Sequence, residues 1–293
     1  MLRKLIHSYA RMIFRTLEVL FPPLAKNLAV YLFFTPAKFK GQQNNKWLES
    51  AETAKVPFPQ ENDENYYFIK YEWGQGPAVL LIHGWAGSAS QLSIIAKQLV
   101  EAGYKVFSFD ALAHGRSAGK QTNMLEFYKI IKHLQTEYGE FEAIAGHSLG
   151  GMAAIYAVKH QVKAKKIITI GAPSSMNFIL DMFLIQSNFS SRIRNTLIAE
   201  IKNRTGIIAD EITPKSLVSE FEIDGLIIHD KNDKEIPPAE SMAIAEHWPA
   251  AELFLTEGLG HKRILAGKLV TKKIIDFIKQ KEIAAAEKIM EQY

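Results

Sequence analysis

Phe141-Glu142-Ala143-Ile144-Ala145-Gly146-His147-Ser148-Leu149-Gly150-Gly151-Met152 decides how the rest of the chain is read. Phe141 to Ala145 has the length and apolar content of a buried strand, and Leu149 to His160 that of a helix. The residues at the join, Gly146-His147-Ser148-Leu149-Gly150, match G-x-S-x-G, the pattern of a serine raised on a sharp strand-to-helix turn. Such a turn strains its central residue, and glycines flank it because a side chain there would crowd the backbone. Ser148 is therefore a candidate nucleophile. The N–H of Leu149, at the start of the helix, is placed to face a developing negative charge.

The same alternation recurs on both sides of this stretch. Tyr66 to Glu72, Ala78 to Ile82, Lys105 to Phe109, Lys166 to Ile170, Gly225 to His229 and Glu252 to Leu255 read as strands. Gln91 to Ala102, Leu125 to Tyr138, Glu240 to His247 and Lys268 to Glu291 read as helices. Fully apolar strands separated by helices predict an α/β fold with a mostly parallel central sheet and helices on both faces. Right-handed crossovers then gather the loops after the strands on one edge. Between Ala172-Pro173 and Gly225 lies a stretch rich in Met, Phe and Ile with helical spacing and no comparable strand, which we read as an insertion. Two segments are expected: an N-terminal helical segment with linker over 1–56, and an α/β domain over 57–293 with the insertion at about 174–220.

The 293 residues contain no cysteine, which excludes disulfides, thiolate metal sites and a cysteine nucleophile. Net charge is +4, yet residues 1–40 hold seven bases (Arg3, Lys4, Arg11, Arg15, Lys26, Lys38, Lys40) against Glu18 alone. The body is thus slightly acidic, and no cluster interleaves bases with stacking aromatics, so no nucleic-acid partner is expected. From Leu2 to Leu20 the apolar residues Leu2, Leu5, Ile6, Tyr9, Met12, Ile13, Leu17 and Leu20 share one helical stripe, ended by Phe21-Pro22-Pro23. After an apolar run from Leu24 to Phe34, the best uncharged run, Asn27 to Ala37, is too short to span a membrane, and Arg11 and Arg15 break any signal-peptide core. Three readings of residues 1–40 stay open: a helix packed on the protein's own surface, one lying on an anionic membrane face, or one binding a partner. The expected location is cytoplasmic, with peripheral contact at the inner membrane face under the second reading.

A serine hydroxyl needs an imidazole beside it. Among nine histidines, His261 stands in a glycine-rich loop after the last strand, Thr256-Glu257-Gly258-Leu259-Gly260-His261, able to reach over Ser148. His147 should point away from the tight turn, and His83 and His114 read as hydrogen-bonded loop residues. The carboxylate that orients the base is sought after Leu226 to His229, where Asp233 is preferred, Asp230 suits a turn cap, and Glu235 is a third candidate. The order Ser, Asp, His agrees with one known arrangement on alternating strands and helices. No nucleotide or metal motif survives inspection: Gly115 to Thr122 has the wrong glycine spacing for a phosphate loop, and no cofactor is implied.

With these residues in place, the chain from about Tyr66 to Phe277 resembles the α/β-hydrolase superfamily. The resemblance rests on His83-Gly84-Trp85, on Asp110-Ala111-Leu112-Ala113-His114-Gly115-Arg116-Ser117, on the serine elbow, and on the Asp233 and His261 loops. The second stretch is similar to the family's D-x-x-G-x-G-x-S loop, with His114 read as replacing one glycine. The resemblance implies the backbone N–H of Trp85 as a second oxyanion donor beside Leu149, and a helical cap at the insertion. Met176, Phe178, Ile179, Met182, Phe183, Ile185 and Phe189 would either line an apolar acyl pocket in that cap or pack it on the sheet domain. A serine at the elbow argues against dehalogenase and epoxide hydrolase chemistry, whose members use aspartate there. The expectation is a carboxylic ester or thioester hydrolase acting on a small-molecule acyl substrate. Acyl transfer, C–C hydrolysis, perhydrolysis and non-enzymatic ligand binding are the alternatives.

Overall fold

The computed structural model describes residues 12–37, 46–58 and 65–290. The sequence-read helical stripe over residues 2–11, and Lys38 and Lys40, lie outside them. Eight strands form one sheet: β1 (Glu52–Pro57), β2 (Tyr67–Trp73), β3 (Ala78–Ile82), β4 (Lys105–Asp110), β5 (Ala143–His147), β6 (Lys166–Ile170), β7 (Asp224–Asp230) and β8 (Ala251–Thr256). Their order is β1-β2-β4-β3-β5-β6-β7-β8. β1 pairs antiparallel with β2, and β2 with β4; every later pairing is parallel.

The parallel strands are apolar because both faces are covered. On one side lie α1 (Pro22–Phe34), α3 (Met124–Tyr138) and α4 (Leu149–Lys159); on the other lie α2 (Ser93–Glu101) and the long C-terminal α7 (Lys268–Met290). Local chemistry sets the boundaries. Asn123 caps α3 by accepting the Glu126 N–H at 3.2 Å, and Gly139 ends it at φ +83°, a conformation that a side chain resists. Burying Ile130, Ile131 and Leu134 on the inner face of α3 contributes roughly 1.5–3 kcal/mol for each side chain.

Two elements differ from the sequence reading. Glu52–Pro57, placed there in the N-terminal linker, is the edge strand β1, its side chains exposed or half-buried. Pro22-Pro23, read as a helix terminator, also begins a second helix. Proline suits the first turn, where its missing N–H costs no hydrogen bond, so residues 12–20 and α1 form two consecutive helices joined at Phe21.

The insertion between β6 and β7 holds α5 (Met176–Ser187), α6 (Ser191–Thr205) and the short helix Pro214–Val218. Ser175 and Ser190 cap α5 and α6, accepting the N–H groups of Phe178 and Arg192. The N-terminal helices pack on this cap. Phe14 stacks on Phe189 at 5.2 Å between ring centroids, Phe33 meets Phe183 edge-on at 5.2 Å, and the Arg204 guanidinium lies 4.3 Å from the Phe34 ring centroid.

Candidate active site

At the end of β5 the chain turns sharply into α4, and Ser148 sits at the corner with φ +53° and ψ −124°. Its N–H donates to the Ile170 carbonyl at 2.9 Å, and its own carbonyl accepts the Gly151 N–H at 2.9 Å, so the strained residue is held from both sides. A Cβ on Gly146 would come within 2.2 Å of the Gly150 carbonyl oxygen, and one on Gly150 within 2.5 Å of the Ile82 and His83 carbonyls. Those glycines permit the elbow to pack against β3. The Leu149 N–H opens α4, a position with no intrahelical acceptor.

β3 ends beside the serine. A Cβ on Gly84, the residue before Trp85, would lie 2.8 Å from the Ser148 Cβ. Two buried histidines shape this loop. His83 accepts the Ala111 N–H on Nε2 at 3.0 Å, with its Nδ1 2.7 Å from the Gly84 carbonyl. His114 accepts the Ala86 N–H on Nε2 at 3.0 Å, with its Nδ1 2.8 Å from the Leu112 carbonyl. Each ring is thus a neutral imidazole with its proton on Nδ1, tying the loop after β3 to the loop after β4.

One expectation is corrected here. The position in the Asp110–Ser117 loop that departs from glycine is Ala113, in the left-handed region at φ +62°, not His114. The remaining glycine, Gly115, has φ +48°, and a Cβ there would lie 2.1 Å from the Asp110 carboxylate. That carboxylate accepts the Ala89 and Arg116 N–H groups and the Tyr71 hydroxyl at 2.8–2.9 Å, fixing the loop.

The loops after β7 and β8 bring together the acid and the imidazole. Asp233 Oδ2 lies 2.7 Å from His261 Nδ1, with both side chains buried. Asp233 Oδ1 accepts the N–H groups of Glu235 and Ile236 at 2.8 and 2.9 Å. Burial opposes ionisation of Asp233, but hydrogen bonds from His229, His261 and the Ile236 N–H outweigh it and hold the carboxyl well below its ordinary range. Asp230 instead accepts the Asn232 and Leu259 N–H groups and the Thr256 hydroxyl, anchoring the loop that carries His261. Glu235 is exposed and pairs with Lys262 at 3.3 Å.

Two supporting residues escaped the sequence reading. His229 Nε2 reaches the Ile236 carbonyl at 2.9 Å and Asp233 Oδ2 at 3.4 Å, while the Ser241 hydroxyl meets its Nδ1 at 2.6 Å. His147 donates from Nε2 to the His261 carbonyl at 2.9 Å, and the two rings lie 4.6 Å apart. Nothing local marks either contact, because each joins segments that only the folded sheet brings together.

Ser148 and His261 line one cavity of about 390 Å³, along with Trp85 and Leu149. Among the described residues, the Ser148 hydroxyl makes no hydrogen bond to His261. The cap stripe divides: Met176, Phe178, Ile179, Met182 and Phe183 line the cavity, Phe189 packs on Phe14, and Ile185 faces outward. Leu32, Phe33 and Phe34 of α1 complete the wall.

Buried neutral histidines make the site acid-sensitive. Burial, the largest cause in each case, pushes His83 down to about 4, and His114 and His147 down to about 3, from the ordinary 6.5. Between those values and 6.5 the unfolded chain binds protons that the folded chain refuses, so stability falls as pH drops below about 6.5. Each histidine contributes roughly 1.4 kcal/mol per pH unit inside its window. The pH dependence of the unfolding free energy near pH 5 should therefore report an uptake of about three protons from these sites on unfolding. A flat dependence between pH 4.5 and 6 (roughly this window) would contradict these three environments.

The strand order, the serine elbow and the acid–imidazole pair after the last two parallel strands together point to one fold. The chain has the α/β-hydrolase fold. A family model described as alpha/beta hydrolase fold matches residues 77–211. A non-heme haloperoxidase from Rhodococcus erythropolis is 31% identical over 122 residues, 40% of this chain and 44% of that protein. A pimeloyl-[acyl-carrier protein] methyl ester esterase from Vibrio atlanticus is 31% identical over 114 residues, 38% of this chain and 41% of that protein. The chain thus aligns with less than half the length of these curated relatives. Among solved structures, a bromoperoxidase from Bacillus anthracis superposes with a TM-score of 0.61 at 19% identity, over 78% of this chain and 100% of that one. An esterase from Exiguobacterium antarcticum gives 0.58 at 17% identity, over 73% and 96%. These two speak for the shared fold.

Proposed function

We propose that the protein is a serine hydrolase that cleaves carboxylic esters or thioesters of apolar acyl groups through an acyl-enzyme. Ser148 Oγ attacks the carbonyl carbon while His261 Nε2 takes the hydroxyl proton; Asp233 holds Nδ1–H and stabilises the imidazolium. The N–H groups of Trp85 and Leu149 receive the oxyanion, each worth roughly 3 kcal/mol of barrier. His261 then returns the proton to the leaving alcohol or thiol. Water, deprotonated by the same imidazole, attacks the acyl carbon and releases the acid with Ser148 restored. The hydroxyl-to-imidazole bond tightens when substrate fills the cavity, as is common for catalytic contacts.

The observation that carries this reading is the 2.7 Å Asp233–His261 pair opening on the same cavity as the strained Ser148. The apolar wall built by the cap and α1 supports an aliphatic acyl group over a charged one. A fluorophosphonate should label the protein at Ser148 alone, located by peptide mass mapping, and Ser148→Ala should remain unlabelled. Equal labelling of that variant would refute the assignment.

Perhydrolysis is the second reading, favoured by the haloperoxidase named among the relatives. Hydrogen peroxide would then replace water as the group that attacks the acyl-enzyme, giving a peracid. Measuring acid against peracid with both acceptors present separates the two.

A further inference from the structure

We propose that the outward face of the N-terminal helices, residues 12–31, docks on a lipid bilayer bearing anionic headgroups. The helix over 12–20 is held to the cap by one face: Phe14 stacks on Phe189, and the Glu18 carboxylate accepts the N–H of Ser190 at 2.9 Å as well as its hydroxyl. The opposite face is largely apolar, with Thr16 at its centre. Met12, Ile13, Val19 and Leu20, one stripe at helical spacing, are 56–70% exposed, and Phe21 and Leu24 extend it into α1 with exposures of 59% and 56%. A surface helix ordinarily turns such a stripe inward and its charges outward. Here the cap and core take Phe14, Leu17 and Glu18, and a second apolar stripe is left outside.

Scattered exposed hydrophobic residues are normal, but these are concentrated. Of the twelve large apolar side chains exposed among the described residues, seven lie between Met12 and Tyr31. Charge selects the occupant. Residues 1–40 carry seven bases and one acid, and that acid, Glu18, is already engaged by Ser190 and Arg15. A second copy of this chain would bring the same positive segment against itself. Acidic headgroups complement it, and the acyl region receives the apolar stripe.

α1 also supplies Leu32, Phe33 and Phe34 to the cavity wall, so a docked molecule holds its pocket against a helix that meets the lipid. The implied substrate class, an ester whose aliphatic chain is drawn from the bilayer, rests on the hydrolase reading above.

Co-sedimentation of the full chain with vesicles tests the docking directly. Wild type should pellet with phosphatidylcholine vesicles containing phosphatidylglycerol, less with phosphatidylcholine alone, and less as salt rises. The triple variant Val19→Ser, Leu20→Ser, Phe21→Ser should lower partitioning by at least about tenfold while hydrolysing a water-soluble short-chain ester at the wild-type rate. Equal partitioning of variant and wild type, or no wild-type binding to anionic vesicles, overturns the proposal. A dimer that the triple variant abolishes, without vesicle binding, overturns it in favour of a second copy. Absence of short-ester hydrolysis in both proteins would remove the hydrolase reading and leave vesicle binding to decide docking on its own.

Discussion

Ser148→Ala is expected to lower kcat for ester hydrolysis by about a millionfold, the scale on which loss of a serine nucleophile removes covalent catalysis. The melting temperature should scarcely move. Alanine tolerates the corner: Ala86 and Ala113 already occupy φ +54° and +62° in this protein. The hydrogen bonds that hold the corner are made by the backbone of residue 148 and survive the change. What remains over the uncatalysed rate, roughly 10³-fold to 10⁴-fold, would come from the oxyanion donors and from binding. A Ser148→Ala protein that turns over short acyl esters at the wild-type rate would remove the nucleophile from the mechanism.

Asp233→Asn should cost about 10⁴ in kcat, because the amide donates where the carboxylate accepted. His261 Nδ1 must then accept a hydrogen bond, which moves its proton to Nε2 and leaves no lone pair to receive the serine proton. The amide oxygen can still accept from the Glu235 and Ile236 N–H groups. The amide nitrogen would confront His229 Nε2, which now lies 3.4 Å from the carboxylate, so a modest loss of stability should accompany the loss of rate. Steady-state kinetics with a thermal melt on the same sample separates the two effects. An Asp233→Asn enzyme within tenfold of wild type (about 1.4 kcal/mol of barrier) would assign the orienting role to another group.

The sheet and its serine corner were legible because parallel strands buried on both faces must be continuously apolar, and Ala78 to Ile82 and Lys166 to Ile170 have the observed strand bounds. Glu52–Pro57 was not legible as a strand. An edge strand is held by backbone bonds to one neighbour, and its exposed Glu52, Thr53 and Lys55 carry no apolar alternation. The N-terminal stripe was legible as a helix pattern but not in its orientation, which depends on Ser190 and Phe189, some 170 residues away. His147 and His229 carried no signal as supports, since what they support is a carbonyl and a carboxylate supplied by other loops. Chemistry encoded in one short motif can be read locally; chemistry assembled from facing loops requires the fold.

The cavity wall contributed by Leu32, Phe33 and Phe34 lies outside the stretch matched by the family model, which starts at residue 77. Under the proposed function, a chimera that grafts only this cap onto a related scaffold would leave part of the acyl-binding wall behind, since Leu32 to Phe34 stand more than a hundred positions before Ser148. Under that function, transplanting chain-length preference would require exchanging both pieces together.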